Sequence, residues 1–389
     1  MKILTTKSYF LSQPHQPFFL LAIYNAVIMM LLFLLNFKGL ITFTIDSVTF
    51  HSYSLIFLLF QNAFIGFLFT TFPRFNQTKP IEEEKYTTPF FINILGTLLF
   101  IGGTLFSFPL VVIALFILLL SQTLSFLLLL DIYKQGVAFD KNDSFWILIA
   151  NSFGILGHFL FIFSLFYTPL ENFAILVSFY MYAIFLGFSV AQRMIPFFSH
   201  SFVPKTKYFV NIVFTVFLFI TLTSIFNILQ LSILLNLILG AFLFYEFKRW
   251  QLHPFQSPPI LWVLHVALFW LPIGFFFTGI SQILELILNT SFYFLGIHLL
   301  ALGFLTTVLV GFGTRVILGH SNQAPNGDKL ATKIFYFIQV IVLLRIFFSL
   351  DIAFGFGFNF LFDITLSSWL LLFIIWGGRY HNTLLYKQK

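Results

Sequence analysis

The chain has 389 residues, 59% of them hydrophobic and only 8% charged, with a formal net charge of +7 and a mean hydropathy of +0.99. So little charge cannot cover the surface of a water-soluble domain, and the composition excludes one. Cysteine is absent, which excludes disulfides and any thiolate-held haem, iron–sulfur cluster or zinc. A bound metal must then use His, Met, Tyr or carboxylate, and the nine histidines become the first candidates. The 62 phenylalanines read as lipid-facing surface in place of leucine, not as an aromatic cofactor box.

Apolar runs about 20 residues long predict membrane helices rather than the roughly 10-residue strands of a barrel. The first run, 18–37, follows Lys2 and Lys7, but it is long for a signal-peptide core and lacks a small-residue cleavage site. It reads as a spanning helix. Eleven more follow in order at 51–72, 89–107, 108–130, 144–167, 170–191, 208–228, 229–245, 260–282, 291–314, 332–350 and 357–377. The third and fourth are divided only by Phe108-Pro109, and the seventh and eighth by a polar turn near Gln230.

Loop charge supports the count. With the N-terminus cytoplasmic, all of the 20 basic residues except Lys38 and Arg345 fall on the inner side. Asp46, Glu171, Glu285 and Asp351 fall in the outer connections, as the positive-inside rule requires. The reading is an all-α polytopic bundle of about twelve transmembrane helices, a single transmembrane domain over 1–389 with both termini cytoplasmic and the lipid bilayer as its surroundings. The basic excess is then a topology signal that binds anionic lipid, and it needs no nucleic acid. The Glu82-Glu83-Glu84-Lys85 patch is a solvated turn, and no internal repeat is visible at the level of residues.

Ionisable groups within such spans are costly, so they point to function. In the second span, His51, Ser54 and Asn62 form a polar stripe at helical spacing; for Asn62 the plainer role is helix–helix hydrogen bonding. In the fifth, Asn151 and His158 share a face, with Gly154 and Gly157 between them, and His158 is equally a ligand or a structural donor. The sixth runs into Arg193, which either snorkels to lipid phosphate or faces an anion at the inner side. The ninth holds His265 between Trp262 and Trp270, and Pro272 is expected to break this helix midway. The tenth is bracketed by His298 and by Arg315 with His320. Intramembrane carboxylates are nearly absent, Asp363 being the main exception, which argues against a proton-coupled pump.

Rise along a helix sorts the histidines by depth. His298 lies roughly 10–12 Å and His158 roughly 13 Å below the outer ends of their spans, with His51 at the outer edge, so these three are expected to converge in the outer half. His265, His200 and His320 lie toward the inner face. His298 and His320 are about 33 Å apart along one helix, a whole hydrocarbon core, so that helix is expected to serve two sites.

Several motifs together carry a family resemblance over most of the chain. They are Gln16-Pro17-Phe18-Phe19-Leu20-Leu21-Ala22; Phe50-His51 with Gly66-Phe67-Leu68-Phe69-Thr70-Thr71-Phe72-Pro73; Arg193 to Phe198; and Leu264-His265 with Trp270-Leu271-Pro272. The strongest is His298 with Leu302-Gly303 and the run Thr314-Arg315-Val316-Ile317-Leu318-Gly319-His320. The chain resembles the NnrS family of bacterial inner-membrane proteins. The resemblance implies a multi-pass protein of the cell inner membrane that contains haem and copper and is linked to nitric oxide metabolism and protection against nitrosative stress. It implies His51, His265, His298 and His320 as cofactor and metal ligands, with Arg193 and Arg315 beside them; His158 is a further candidate from the residues alone. One departure is plain. Where the family pattern reads close to Trp-His-Ala-His-Glu-Met, this chain reads Phe50-His51-Ser52-Tyr53-Ser54-Leu55, so Tyr53 and Ser54 replace a histidine and an acid. If those residues serve a metal, this chain has lost it or has recruited Tyr53.

Three functions stand as expectations: a haem and copper protein that meets nitric oxide or a redox partner; a permease or channel for a small solute; and an accessory protein of a respiratory complex. No catalytic triad, phosphate loop or nucleotide-binding glycine pattern is present, so enzymatic activity stays open.

Overall fold

The computed structural model describes residues 9–254, 256–321, 323–324 and 326–386. Twelve long helices account for most of them, and among the described residues there is no strand. In order these are α1 (His15–Phe37), α2 (Ser47–Phe75), α3 (Glu83–Phe106), α4 (Phe108–Gln135), α5 (Asn142–Ser164), α6 (Leu170–Phe198), α7 (Phe209–Ile225), α8 (Leu229–Arg249), α9 (Pro259–Leu288), α10 (Tyr293–His320), α11 (Lys329–Phe354) and α12 (Phe360–Leu385). Eleven are long and apolar enough to cross a membrane; α7, at 17 residues, is the short one. The expected all-helical, twelve-helix architecture holds.

Local chemistry explains the ends. Asp46 caps α2 by accepting from the amides of Val48 and Thr49 at 2.6 and 3.1 Å, and Asp328 caps α11 through Ala331 N–H at 2.7 Å; both satisfy amides that a helix start leaves unpaired. The break between α3 and α4 sits at Ser107, whose backbone is extended (φ −158°), with Pro109 opening the next helix. That corner needs glycine at 103, because a Cβ there would stand 2.5 Å from the Val111 backbone nitrogen. The α7–α8 turn is carried by Asn227 in the left-handed region (φ 53°), not by Gln230, which lies in the first turn of α8. Asparagine tolerates that conformation better than other side chains with a Cβ. The break expected at Pro272 does not occur. The proline is buried inside an uninterrupted 30-residue α9, as membrane helices allow when their surroundings accommodate the freed carbonyl.

α2, α6 and α10 stand apart from the rest. Each contains a π-helical segment, at Ser54–Phe60, Val177–Ile184 and Leu299–Thr306, and these begin at an interval of about 123 residues. The same three helices are the most enclosed, with 78%, 94% and 72% of their most apolar stretch buried against 33–61% for the other spans. A repeat that the residues hide is therefore carried by the helices: every fourth one is a core helix with a widened turn. Widened turns shift the later residues around the helix, and such segments are frequent at functional sites.

The described residues form two compact units. The first comprises 9–175, 316–321, 323–324 and 373–386; the second comprises 176–254, 256–315 and 326–372. Buried amides and hydroxyls tie the first together, with Asn62 Nδ2 donating to Asn93 Oδ1 at 3.1 Å and Ser121 Oγ to Pro89 O at 2.7 Å. Asn62 thus takes the helix–helix role. In the second unit the fully buried Glu246 accepts from Thr206 N–H (2.9 Å) and Oγ1 (2.7 Å), Trp250 Nε1 (3.1 Å) and Arg249 Nη1 (2.6 Å). This is how a buried carboxylate is made tolerable.

Candidate functional site

In the first unit the last residue of α10 meets the first residue of α1. The rings of His320 and His15 have centroids 4.9 Å apart. His15 is 3% exposed, and its Nδ1 is buried with no hydrogen-bond partner. An orphaned buried nitrogen is uncommon and calls for an explanation. The backbone before it is held by Gln16, whose Oε1 accepts from Ser12 Oγ at 3.1 Å and Gln13 N–H at 2.9 Å. Hydropathy alone misses His15 because it precedes the apolar run. Pro17 was the available signal, since proline favours the first turn of a helix and so places the helix start at about His15.

A second polar centre in this unit closes around both nitrogens of His158 and leaves Gln122 Nε2 without a hydrogen-bond partner. Tyr53, His158 and Gln122 are all buried to 2% exposure or less. Tyr53 Oη lies 2.7 Å from His158 Nε2, and His158 Nδ1 lies 2.8 Å from Gln122 Oε1. The amide oxygen only accepts, so Nδ1–H donates to it and Nε2 accepts from the phenol. Both nitrogens of His158 are thereby engaged. Phe57 and Phe161 line the same place, with ring centroids 4.6 Å from His158 and 5.5 Å from Tyr53 respectively. His51, two residues from Tyr53, points elsewhere and lies 4.6 Å from the ring of Phe33. Residues two apart on a helix face about 200° away from each other. Asn151, expected to share a face with His158, bonds back to Ile147 O at 2.7 Å within its own helix.

The second unit holds the remaining candidates. His265 is 2% exposed, with Nε2 2.7 Å from Ser199 Oγ and Nδ1 3.4 Å from Ser257 Oγ. Arg315 stacks on Phe198 at 3.8 Å from the ring centroid, a cation–π contact that orients the guanidinium. Arg193 is partly buried near the end of α6, next to Gln192, whose Oε1 accepts from Lys205 Nζ. His298 donates through Nδ1 to Phe294 O at 2.8 Å and lies against Arg345, whose Nη2 is 3.2 and 3.3 Å from its two ring nitrogens. In the charge pattern Arg345 stands only as an exception to the positive-inside rule. Nothing in hydropathy reveals a partner on a neighbouring helix.

No group of three His, Asp or Glu residues able to hold a metal occurs among the described residues. Within its own unit, His51 lies against Phe33, His158 between Tyr53 and Gln122, and His298 against Arg345. Among the described residues His15 and His320 are brought ring to ring.

The family described as NnrS protein matches residues 9–388, nearly the whole chain. The chain belongs to the NnrS family. No curated protein matches it. Membership and the multi-pass helical fold agree, since the match runs through all twelve helices. Tyr53 bonds His158 through its phenol.

Proposed function

We propose that this chain is a haem- and copper-binding protein of the NnrS type, multi-pass in the bacterial inner membrane with both ends cytoplasmic, acting in nitric oxide metabolism or nitrosative-stress protection. The observation that carries the copper part is the His15–His320 pair. Two imidazoles 4.9 Å apart, one with an orphaned buried nitrogen, can both address one ion at the roughly 2 Å bond length of imidazole ligation. Imidazole without thiolate suits copper as it does zinc, iron and nickel, and the choice of copper follows the family. Copper held there would supply a one-electron couple. The chain's own contribution is to fix both rings at the ends of long helices, and to enclose His15 so that water does not compete for its nitrogen.

The haem part rests on family membership. His265 is its candidate ligand in the second unit, with Arg193 and Arg315 as candidate partners for an anionic edge of the macrocycle, and His51 is a separate candidate in the first unit. A nitric oxide or redox partner belongs to the same proposal.

Metal analysis and an absorption spectrum of the purified full-length protein test the reading. The expected result is bound copper and a haem Soret band. A folded, colourless and metal-free preparation overturns it.

A further inference from the structure

Arg345 lies in α11 nine residues before Phe354, about 13 Å along the helix from that end. Its partners are Ser349 Oγ at 2.8 Å from Nη1, the ring nitrogens of His298 at 3.2 and 3.3 Å from Nη2, and the ring of Phe348 at 4.9 Å. None of them is a carboxylate. Of the acids at this end of the unit, Asp351 Oδ1 accepts from Phe358 N–H at 3.0 Å and Glu285 Oε1 from Phe292 N–H at 2.8 Å. A guanidinium carries five donors and does not lose its charge in proteins, and an uncompensated charge at membrane depth is costly. Ser349 and His298 hold the guanidinium against α10, rather than leaving it to extend freely along the lipid surface.

We infer that Arg345, with His298 and Ser349 beside it, forms an anion site for one phosphate-type oxyanion, drawn either from a lipid headgroup or from free phosphate. The chemistry is common to both sources: the planar fork of the guanidinium matches two oxygens of a tetrahedral anion. The neighbouring imidazole and hydroxyl take up the donors that the anion leaves unused. The inference is independent of copper and haem.

The test uses full-length protein in a neutral detergent, with two probes. Native mass spectrometry compares retention of phosphatidylglycerol with that of phosphatidylcholine, and the thermal midpoint is compared in inorganic phosphate and in chloride at equal ionic strength. The wild type is expected to prefer the anionic probe in one of the two arms, and the positive arm names the source. Arg345→Gln is expected to weaken that binding at least tenfold, Arg345→Lys to weaken it less because the charge remains without the fork, and Lys38→Gln to leave it unchanged. If Arg345→Gln fails to fold, Arg345→Lys and His298→Gln carry the test. A wild type indifferent to both probes, or variants that respond as the wild type does, overturns the inference.

Discussion

The two ends of α10 carry the same residue type against different rings and side chains, with Arg74 within electrostatic reach of His320. At one end His320 faces a second imidazole, His15, with a buried nitrogen left over. At the other end His298 faces the guanidinium of Arg345. An imidazole pair concentrates lone pairs and suits a cation. A guanidinium against an imidazole consumes lone pairs, brings a positive charge and suits an anion. A histidine in a membrane helix is therefore not a metal ligand by residue type alone; the group standing opposite decides its chemistry.

The sharpest way to break this contrast is to compare copper content. His15→Ala and His320→Ala are each expected to abolish copper at the pair, while His298→Ala leaves copper unchanged; metal analysis of the three purified variants decides. If His298→Ala loses copper and His15→Ala retains it, the roles of the two ends are reversed.

A smaller effect is expected at the Tyr53–His158–Gln122 centre. Tyr53→Phe deprives the buried Nε2 of His158 of its donor, at a cost of about 1–3 kcal/mol, and copper content should not change. Denaturant unfolding in detergent alongside metal analysis checks both halves, and copper loss in Tyr53→Phe would show that this centre also serves a metal.

The smallest effect concerns Ser349. Ser349→Ala removes one hydrogen bond to Arg345, which keeps His298 as a partner, and should cost about 1.5 kcal/mol, the lower end of the range for a bond to a charged group. It should leave copper at the other end untouched. A thermal-shift comparison of Ser349→Ala with the wild type measures it, and an effect on copper would couple ends that the contrast keeps apart.

Much of the fold was legible in the residues. Runs such as 18–37 and 108–130 are read by hydropathy because burying apolar groups in lipid is additive along the chain. His320, His298, His265 and Arg315 were marked by the cost of placing them in such runs. His15 was not, because it precedes the apolar core of its helix, and only Pro17 hinted that the helix begins earlier. The π segments were invisible: an extra residue in one turn changes neither composition nor hydropathy, but it rotates the remainder of the helix by about 100°. Depth comes from counting residues, whereas facing depends on the phase of each helix.

By itself, then, the sequence determined a membrane protein of twelve helices and its family, because hydropathy and local motifs are short-range properties. Only the tertiary structure decided that His320 meets His15, that His158 meets Tyr53 and Gln122, and that His298 meets Arg345. Those pairings depend on the rotation of each helix against its neighbours, which packing sets through contacts between residues far apart in the chain.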